Sequence, residues 1–469
     1  MADTYQFGMV GLGTMGRNLA LNVADHGFSV LGLATSEMKA AKFADLAEDR
    51  KLSAVAGPEG FIAMLEKPRV VMLLVPAGDA VDAVIADLSE YMEPGDFFIE
   101  GGNSHYRDTE RRATELAAKG LGFIGIGVSG GEEGARHGPS MMAGGTAENY
   151  ERVRPILEAV AAKYDDAPCV ALLGKGGAGH YVKMVHNGIE YGLMQLIAET
   201  YDLLHRGAGL SNTAIADIFH EWTYGPFGGF LTQITSDVLR VKDADTGQDL
   251  VDLVLDKAKQ KGTGKWTSQD AMDLGIPIPT IDAAVSARQM SGLKEERARA
   301  QQSIGRDVRG SEQTQEWMDN VRSALHLAFL ISYAQGFSLL DAASTEHGME
   351  IDLEGSAKVW RAGCIIRSKL LEPIREAYLK ETVVDNLLVA PDFQQVVFDG
   401  DGPLANLVIF AANIGIPTPC LFASLAYLDG YRTARLPANL IQAQRDYFGA
   451  HTYERTDQEG SFHTEWGNH

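Results

Sequence analysis

The sequence predicts an α/β unit with a mainly parallel sheet, followed by a large all-helical unit and a short C-terminal tail. From residue 5 to about 175, short apolar runs alternate with amphipathic stretches, the pattern of strands covered by helices on both faces. A glycine-rich joint, Gly174-Lys175-Gly176-Gly177-Ala178-Gly179, ends that alternation. Beyond it, strand signals nearly vanish and helical spacing dominates. At 469 residues the chain is too long for one ordinary core. The expected division is 1–177, 178–437 and 438–469.

In the first unit, strands are expected at Phe7–Val10, Phe28–Leu33, Val70–Val75, Phe97–Ile99, Phe123–Val128 and Val170–Leu172. Thr14–His26, Asp79–Tyr91 and Arg107–Lys119 have helical spacing between them. In the second unit, that spacing covers Ala178–Arg206, Gly229–Val241, Leu250–Lys259, Asp282–Met290, Glu312–Ala343 and Leu404–Ile414. The longest apolar stretch, Ala324–Leu340, contains His326, Ser332, Gln335 and Ser338, so it reads as a core helix and not a membrane span. Pro437 precedes a helix ending near Phe448, and the polar remainder has no core of its own.

Composition narrows the function classes. Apolar residues make up 45% and charged residues 22%, ordinary globular usage. The net charge of −22 disfavours nucleic acid and anionic membrane as partners. An anionic substrate therefore requires a local basic pocket. Cys169, Cys364 and Cys420 are odd in number and far apart, which points to no metal site and no disulfide framework. No basic, apolar leader precedes the first strand, and a cytoplasmic protein is expected.

Gly11-Leu12-Gly13-Thr14-Met15-Gly16 follows the first strand and opens a helix. In that context GxGxxG is the Rossmann-type fingerprint: glycines allow close backbone approach, and the helix N-terminus faces a pyrophosphate. The second strand ends in Ala34-Thr35-Ser36, with neither the acidic residue of an NAD site nor the arginine of an NADP site. Lys39 and Lys42 are within reach of a 2′-phosphate, but equally read as solvated helix charges. NAD against NADP stays open at this point.

A second motif is Lys183-Met184-Val185-His186-Asn187-Gly188-Ile189-Glu190-Tyr191. At about 100° per residue, Lys183, Asn187 and Glu190 share a narrow stripe, flanked by His186 and Tyr191. The plainer alternative is an intrahelical Lys–Glu network on a wet face, but Met184, Val185 and Ile189 make the rest of the helix look buried.

This lysine helix resembles the active-site helix of the decarboxylating 6-phosphogluconate dehydrogenase family. So do Val128-Ser129-Gly130-Gly131-Glu132-Glu133-Gly134, Lys261-Gly262-Thr263-Gly264-Lys265-Trp266, and the tail from Leu436-Pro437-Ala438-Asn439 through Arg445-Asp446-Tyr447-Phe448-Gly449-Ala450-His451. The blocks occur in the family's order from about residue 7 to 466. The resemblance implies oxidation of 6-phosphogluconate at C3 and loss of C1 as CO2, giving ribulose 5-phosphate, with reduction of NADP or NAD, a step of the pentose phosphate pathway. It implies Lys183 as base and then acid, and Glu190 as the acid that protonates C1 of the five-carbon enediol left after CO2 departs. A neutral Lys and a protonated Glu both need shifted pKa values, which burial supplies.

The resemblance further implies that Asn103, Ser129, Gly130, Gly131, His186 and Asn187 contact the sugar acid. Tyr191, Lys261, Thr263 and Arg288 would bind its phosphate, joined by Arg445 and His451 from the other subunit of a homodimer. Gly11 to Gly16, Ala34, Thr35, Ser36, Val75, Pro76, Ala77 and Asn103 would line the cofactor site. NADP-using members usually carry Asn-Arg-Thr or Asn-Arg-Ser at Ala34-Thr35-Ser36, and Lys at Pro76, so two basic groups are missing here. Thr223-Tyr224-Gly225-Pro226-Phe227-Gly228-Gly229 also departs from the family's Trp-Asn-x-Gly stretch, and an altered loop without lost chemistry is expected. Alternatives are another β-hydroxyacid dehydrogenase, against which Lys261 and Arg445 argue, and a catalytically silent dinucleotide-binding paralogue, against which Lys183, His186, Asn187 and Glu190 argue. A phosphate-loop nucleotidase fails, because Trp266 follows Lys265 where Ser or Thr is needed.

Overall fold

The computed structural model describes residues 4–380 and 384–467. Residues 1–3, 381–383 and 468–469, which fall in the first, second and third expected units respectively, lie outside the described residues.

The first unit opens with β1 (Phe7–Val10), α1 (Thr14–Asp25), β2 (Val30–Ala34), α2 (Glu37–Ala44), β3 (Leu52–Ala56), α3 (Pro58–Ala63) and β4 (Val70–Leu73). It continues through α4 (Asp79–Ser89), β5 (Phe97–Glu100), α5 (Tyr106–Ala117), β6 (Gly122–Val128), α6 (Gly131–His137), β7 (Met141–Gly144) and α7 (Ala147–Val160). A two-residue hairpin, β8 (Lys163–Tyr164) and β9 (Ala167–Pro168), precedes β10 (Val170–Gly174). Eight strands form one sheet in the order β10-β7-β6-β5-β4-β1-β2-β3. Every neighbouring pair is parallel except β6 with β7. Separate apolar clusters cover the two faces, one around Phe97 and Ile126, the other around Phe61 and Phe98.

Two sheet strands carry no clear sequence signal. β3 is Leu52-Ser53-Ala54-Val55-Ala56 at the sheet edge, with small residues and only Leu52 fully buried. β7 is Met141-Met142-Ala143-Gly144, without a β-branched or aromatic residue.

The second unit begins with the long α8 (Ala178–Asp202), which runs into a π-helical turn, Leu203–Gly207. Then come α9 (Asn212–Thr223), α10 (Phe230–Leu239), α11 (Leu250–Leu253), α12 (Thr263–Leu274), α13 (Pro279–Gly292), α14 (Lys294–Ile304) and α15 (Gln315–Glu346). They are followed by α16 (Leu353–Val359), α17 (Leu371–Leu379), α18 (Gln394–Ile414), α19 (Pro419–Tyr431) and α20 (Ala438–Gly449). α15 is long and apolar enough to cross a membrane, but it lies mostly buried in the centre of this unit, packed on α8 and α18. Beyond α20, β11 (Tyr453–Glu454) and β12 (Ser461–Phe462) form a small hairpin.

Two helix expectations need correction. Leu250–Lys259 is helical only to Leu253, because Leu253, Val254 and Leu255 find no core and stay exposed. α18 starts ten residues before the expected Leu404, passing through Pro403; its added turns pack Gly400 against Leu327 of α15.

The contact between the two units is close. Alternate glycines of β6, Gly125 and Gly127, present one strand face to α8. A Cβ on Gly127 would lie 2.2 Å from Cβ of Lys183, and one on Gly125 would lie 3.0 Å from His180 Nδ1. Gly179 of α8 leaves room for the Met142 carbonyl and the Gly144 amide of β7, 2.4 and 2.5 Å from where its Cβ would stand. The helix therefore rests directly on the β6–β7 backbone. Gly127→Ala is expected to destabilise the fold by about 1–3 kcal/mol through overpacking. Gly60→Ala, where no atom lies within 4 Å of the added methyl, is the neutral control. Urea unfolding followed by intrinsic fluorescence measures both; equal midpoints would sink the close-contact argument.

Candidate active site

The carboxyl ends of β1 and β2 open into a groove of about 740 Å³ lined by Gly11, Leu12, Gly13, Arg17, Ala34, Thr35, Lys39, Lys42 and Val75, among others. Gly11 has φ +96°, and a Cβ there would meet the Leu74 carbonyl at 2.3 Å; one on Gly16 would strike the Gly11 carbonyl at 2.0 Å. Nothing lies within 4 Å of a Cβ on Gly13, which faces open space at the start of α1. Tight turn, open approach and close packing are the three roles a pyrophosphate-binding glycine loop requires, so the residues fit a dinucleotide. Thr14, Met15, Gly16, Ser36, Pro76, Ala77 and Asn103 are not among the groove's lining residues. Ser36 instead caps α2, its Oγ accepting from Lys39 N. Lys39 Nζ donates to Thr35 Oγ1 at 2.9 Å, while the side chain of Arg17, missed in the sequence, has no hydrogen-bond or ion-pair partner among the described residues.

On α8, Lys183, His186 and Asn187 are buried and Glu190 is partly covered. Lys183 Nζ lies 3.3 Å from His186 Nδ1, which is 3.0 Å from Asn187 Oδ1. His186 Nε2 is 3.2 Å from Ser129 Oγ, at the end of β6. One neutral tautomer serves the Asn187 and Ser129 contacts together: Nδ1–H donates to Asn187, and Nε2 accepts from the Ser129 hydroxyl. Asn187 Nδ2 passes the chain on to Thr263 Oγ1 at 3.0 Å, at the start of α12. Gly188 makes this possible, since a Cβ there would lie 2.7 Å from the Thr267 methyl. One turn further, the Arg288 guanidinium sits 3.4 Å from the centroid of the Tyr191 ring.

Burial sets the charge states. Lys183 has no carboxylate within ion-pair distance among the described residues, and desolvation lowers its pKa against the weaker pull of Glu190 and Cys364. Desolvation raises the pKa of Glu190, opposed by Lys183 and Arg288. His186 is held well below the usual histidine range by burial and by Lys183. A buried lysine whose pKa is lowered, beside a carboxylic acid whose pKa is raised, is a constellation for moving protons.

The other expected residues lie around this cluster. Gly130, at φ +109°, abuts the Gly363 carbonyl, and Gly131 opens α6. Asn103 is exposed just after β5, and Lys261 is exposed just before α12. No hydrogen bond links Arg445 or His451 to the Lys183 cluster within the described chain. The Thr223–Gly229 stretch folds as a turn between α9 and α10, with Gly228 and Gly229 against the Thr223 and Arg367 carbonyls.

Sequence reading also missed the brace beneath the Asn103 loop. Glu100 and Arg112 are completely buried and 3.2 Å apart; Arg112 also reaches Asp82 at 2.7 Å, Ser104 and the Gly78 carbonyl. It ties the loop after β4 to the loop after β5. Arg112 sits on an otherwise polar helix, which is why it reads as surface charge.

Comparison with known proteins gives the family. The family model "NAD binding domain of 6-phosphogluconate dehydrogenase" matches residues 6–174, and "6-phosphogluconate dehydrogenase, C-terminal domain" matches 179–466. The chain is 50% identical over 463 residues to the NADP(+)-dependent, decarboxylating 6-phosphogluconate dehydrogenase of Bacillus subtilis, covering 98% of this chain and 99% of that one. The decarboxylating 6-phosphogluconate dehydrogenase of Escherichia coli matches with the same identity and coverage. A solved Plasmodium falciparum 6-phosphogluconate dehydrogenase, studied in apo form and in complexes with NADP+ and 6-phosphogluconate, superposes with a TM-score of 0.95. It is 39% identical, and the match covers 98% of this chain and 100% of that one.

Arg112→Met strands Glu100 as a buried charge and is expected to cost about 3–5 kcal/mol. Adding Glu100→Gln should restore much of the loss. An unchanged unfolding midpoint for the single variant would refute the brace.

Proposed function

The chain belongs to the 6-phosphogluconate dehydrogenase family, and from that premise we propose how its own residues carry the reaction. It oxidises and decarboxylates 6-phosphogluconate to ribulose 5-phosphate and CO2, with NADP as cofactor. Bound NADP supplies the acceptor for the hydride that leaves C3. The observation that carries the residue assignment is the buried Lys183, without a carboxylate partner and 3.3 Å from a neutral His186.

Neutral Lys183 takes the C3 hydroxyl proton as the hydride departs. Its ammonium form then donates to the new ketone, stabilising negative charge as C1 is lost as CO2. Glu190, still protonated, delivers its proton to C1 of the resulting enediol while the adjacent C2 hydroxyl returns its proton to Lys183. Ser129, with the backbone of Gly130 and Gly131, holds the substrate carboxylate; Asn103, His186 and Asn187 orient the sugar hydroxyls. Tyr191, Lys261, Thr263 and Arg288 receive the phosphate.

We assign residues 1–177 to cofactor binding, 178–437 to the substrate site and dimerisation, and 438–469 to a tail completing a second subunit's site. Supporting a homodimer, Leu440, Ile441, Tyr447 and Phe448 of α20 are exposed apolar side chains. The partner subunit's Arg445 and the partner subunit's His451 would then supply the remaining phosphate contacts. The three cysteines are buried and unpaired, in keeping with a cytoplasmic location.

Initial rates of NADP reduction with 6-phosphogluconate test the assignment. Lys183→Ala should lower kcat by about 10²–10⁴-fold while leaving NADP affinity intact. In the pH profile, the limb rising with pH should fall below the usual lysine range, because Lys183 must lose its proton to act and burial eases that loss. The limb falling with pH should lie above the usual carboxylate range, because Glu190 must keep its proton; Glu190→Gln should remove that limb. Retained turnover by Lys183→Ala would end this reading. Deleting residues 440–469 should abolish turnover yet preserve NADP binding, and full activity would exclude the shared site.

A further inference from the structure

Almost every residue of the tail is exposed, yet Asp446 is completely buried. Its Oδ1 accepts from Thr452 N at 2.9 Å and faces His463 Nδ1 at 2.9 Å; Oδ2 accepts from Thr464 N at 3.0 Å and Trp466 Nε1 at 2.8 Å. Only a carboxylate offers four acceptor positions in so small a side chain. Burial pushes its pKa up, but these donors together outweigh it and hold Asp446 below the usual carboxylate range.

Gln442 and Arg445 lie on the same face of α20, four residues and one residue before Asp446. Gln442 Nε2 donates to the Thr452 carbonyl at 2.6 Å, and its Oε1 accepts from Arg445 Nη1 at 3.1 Å. Thr452 is thus clamped on both backbone groups, its N–H by Asp446 and its carbonyl by Gln442. His451 stands between Ala450 at φ +49° and Thr452 at φ +60°, a left-handed geometry L residues rarely adopt. The Ala450 amide returns to the Asp446 carbonyl at 2.9 Å. Phe448 meets the imidazole edge-on at 6.0 Å, and a Cβ on Gly449 would lie 2.6 Å from His451 Nε2.

We propose that Asp446 and Gln442 are positioning residues that fix Arg445 and His451 as one preorganised pair for a phosphate monoester. The clamp closes only when the chain returns through residues 461–466, so the far end of the tail sets the geometry of α20. The inference rests on the shared-site reading above. It adds that the tail is a folded phosphate-recognition element whose arginine and histidine are held before substrate arrives.

The test compares the full-length protein with Asp446→Asn, Gln442→Ala, Arg445→Ala and His451→Ala, using 6-phosphogluconate and unphosphorylated gluconate as paired substrates. Asp446→Asn keeps the side-chain volume but loses acceptors for the four donors. It should raise KM for 6-phosphogluconate about tenfold or more, the scale of charge-assisted hydrogen bonds that lose their geometry, with a smaller change in kcat. Rates with gluconate and NADP affinity should barely move, so the preference for the phosphorylated substrate collapses; inorganic phosphate should lose potency as an inhibitor. Gln442→Ala should show the same split more weakly, and serves if Asp446→Asn does not fold. An equal loss on both substrates would make Asp446 merely structural and overturn the proposal. So would unchanged KM for 6-phosphogluconate in both positioning variants while Arg445→Ala and His451→Ala raise it. Unchanged KM in all four variants would instead defeat the shared-site reading on which the proposal stands.

Discussion

The site depends on a backbone-close contact between one helix and two strands. Because Gly125 and Gly127 of β6 and Gly179 of α8 carry no side chains, the helix settles directly on the sheet. Lys183 then emerges where solvent is excluded and no carboxylate among the described residues is near enough to pair. A larger residue at any of these glycines would lift the helix, admit water and return the lysine to its ordinary protonation. The same approach brings His186 within reach of Ser129 at the end of β6. One packing constraint therefore bears on both the proton affinity of Lys183 and its position relative to the loop that follows the strand.

Desolvation acts on Lys183 and Glu190 in opposite chemical senses but toward one result. Burial disfavours each charged form, so the pKa of the amine falls and that of the carboxyl rises. Their mutual attraction opposes both shifts, but ranks below desolvation for each. Had the two formed a tight ion pair, the lysine would be a cation and the glutamate a conjugate base, and neither would suit the step proposed for it. His186 stands between them, neutral for the same reason, 3.3 Å from Lys183 and 4.0 Å from Glu190.

What the sequence made legible follows where side-chain identity alone decides the outcome. Gly11, Gly13 and Gly16 announced the cofactor loop, because few other roles demand glycine at that spacing between a strand and a helix. Lys183, Asn187 and Glu190 could be placed on one stripe from helical period alone. β3 and β7 escaped because small or unbranched residues pair through backbone without an apolar alternation. Leu250–Lys259 was read too long because periodicity shows a face, but not whether a neighbour exists to cover it. Arg112 and Asp446 escaped for a deeper reason: each looks like a surface charge until the fold delivers partners from distant segments. The phosphate roles proposed for Lys261 and Arg288 rest on family resemblance, since neither spacing nor composition separates them from surface charge.

A protein of net charge −22 that handles two phosphorylated ligands must keep its useful cations free of its own carboxylates. The arrangement meets that demand. Arg112 and Arg69, which hold structure, are buried against Glu100 and Asp96. By contrast, no ion pair among the described residues engages Arg17, Lys39 or Lys42 at the cofactor groove, or Lys261, Arg288 and Arg445 at the proposed phosphate site. Their contacts are neutral ones: Thr35 for Lys39, the Tyr191 ring and Lys259 carbonyl for Arg288, Gln442 for Arg445. Neutral partners fix a cation's direction without spending its charge, so an arriving phosphate displaces no internal carboxylate. The missing arginine after β2 fits the same logic. Thr35 supplies only an oxygen there, and the cations that line the groove are Lys39 and Lys42 of α2 and Arg17 of α1.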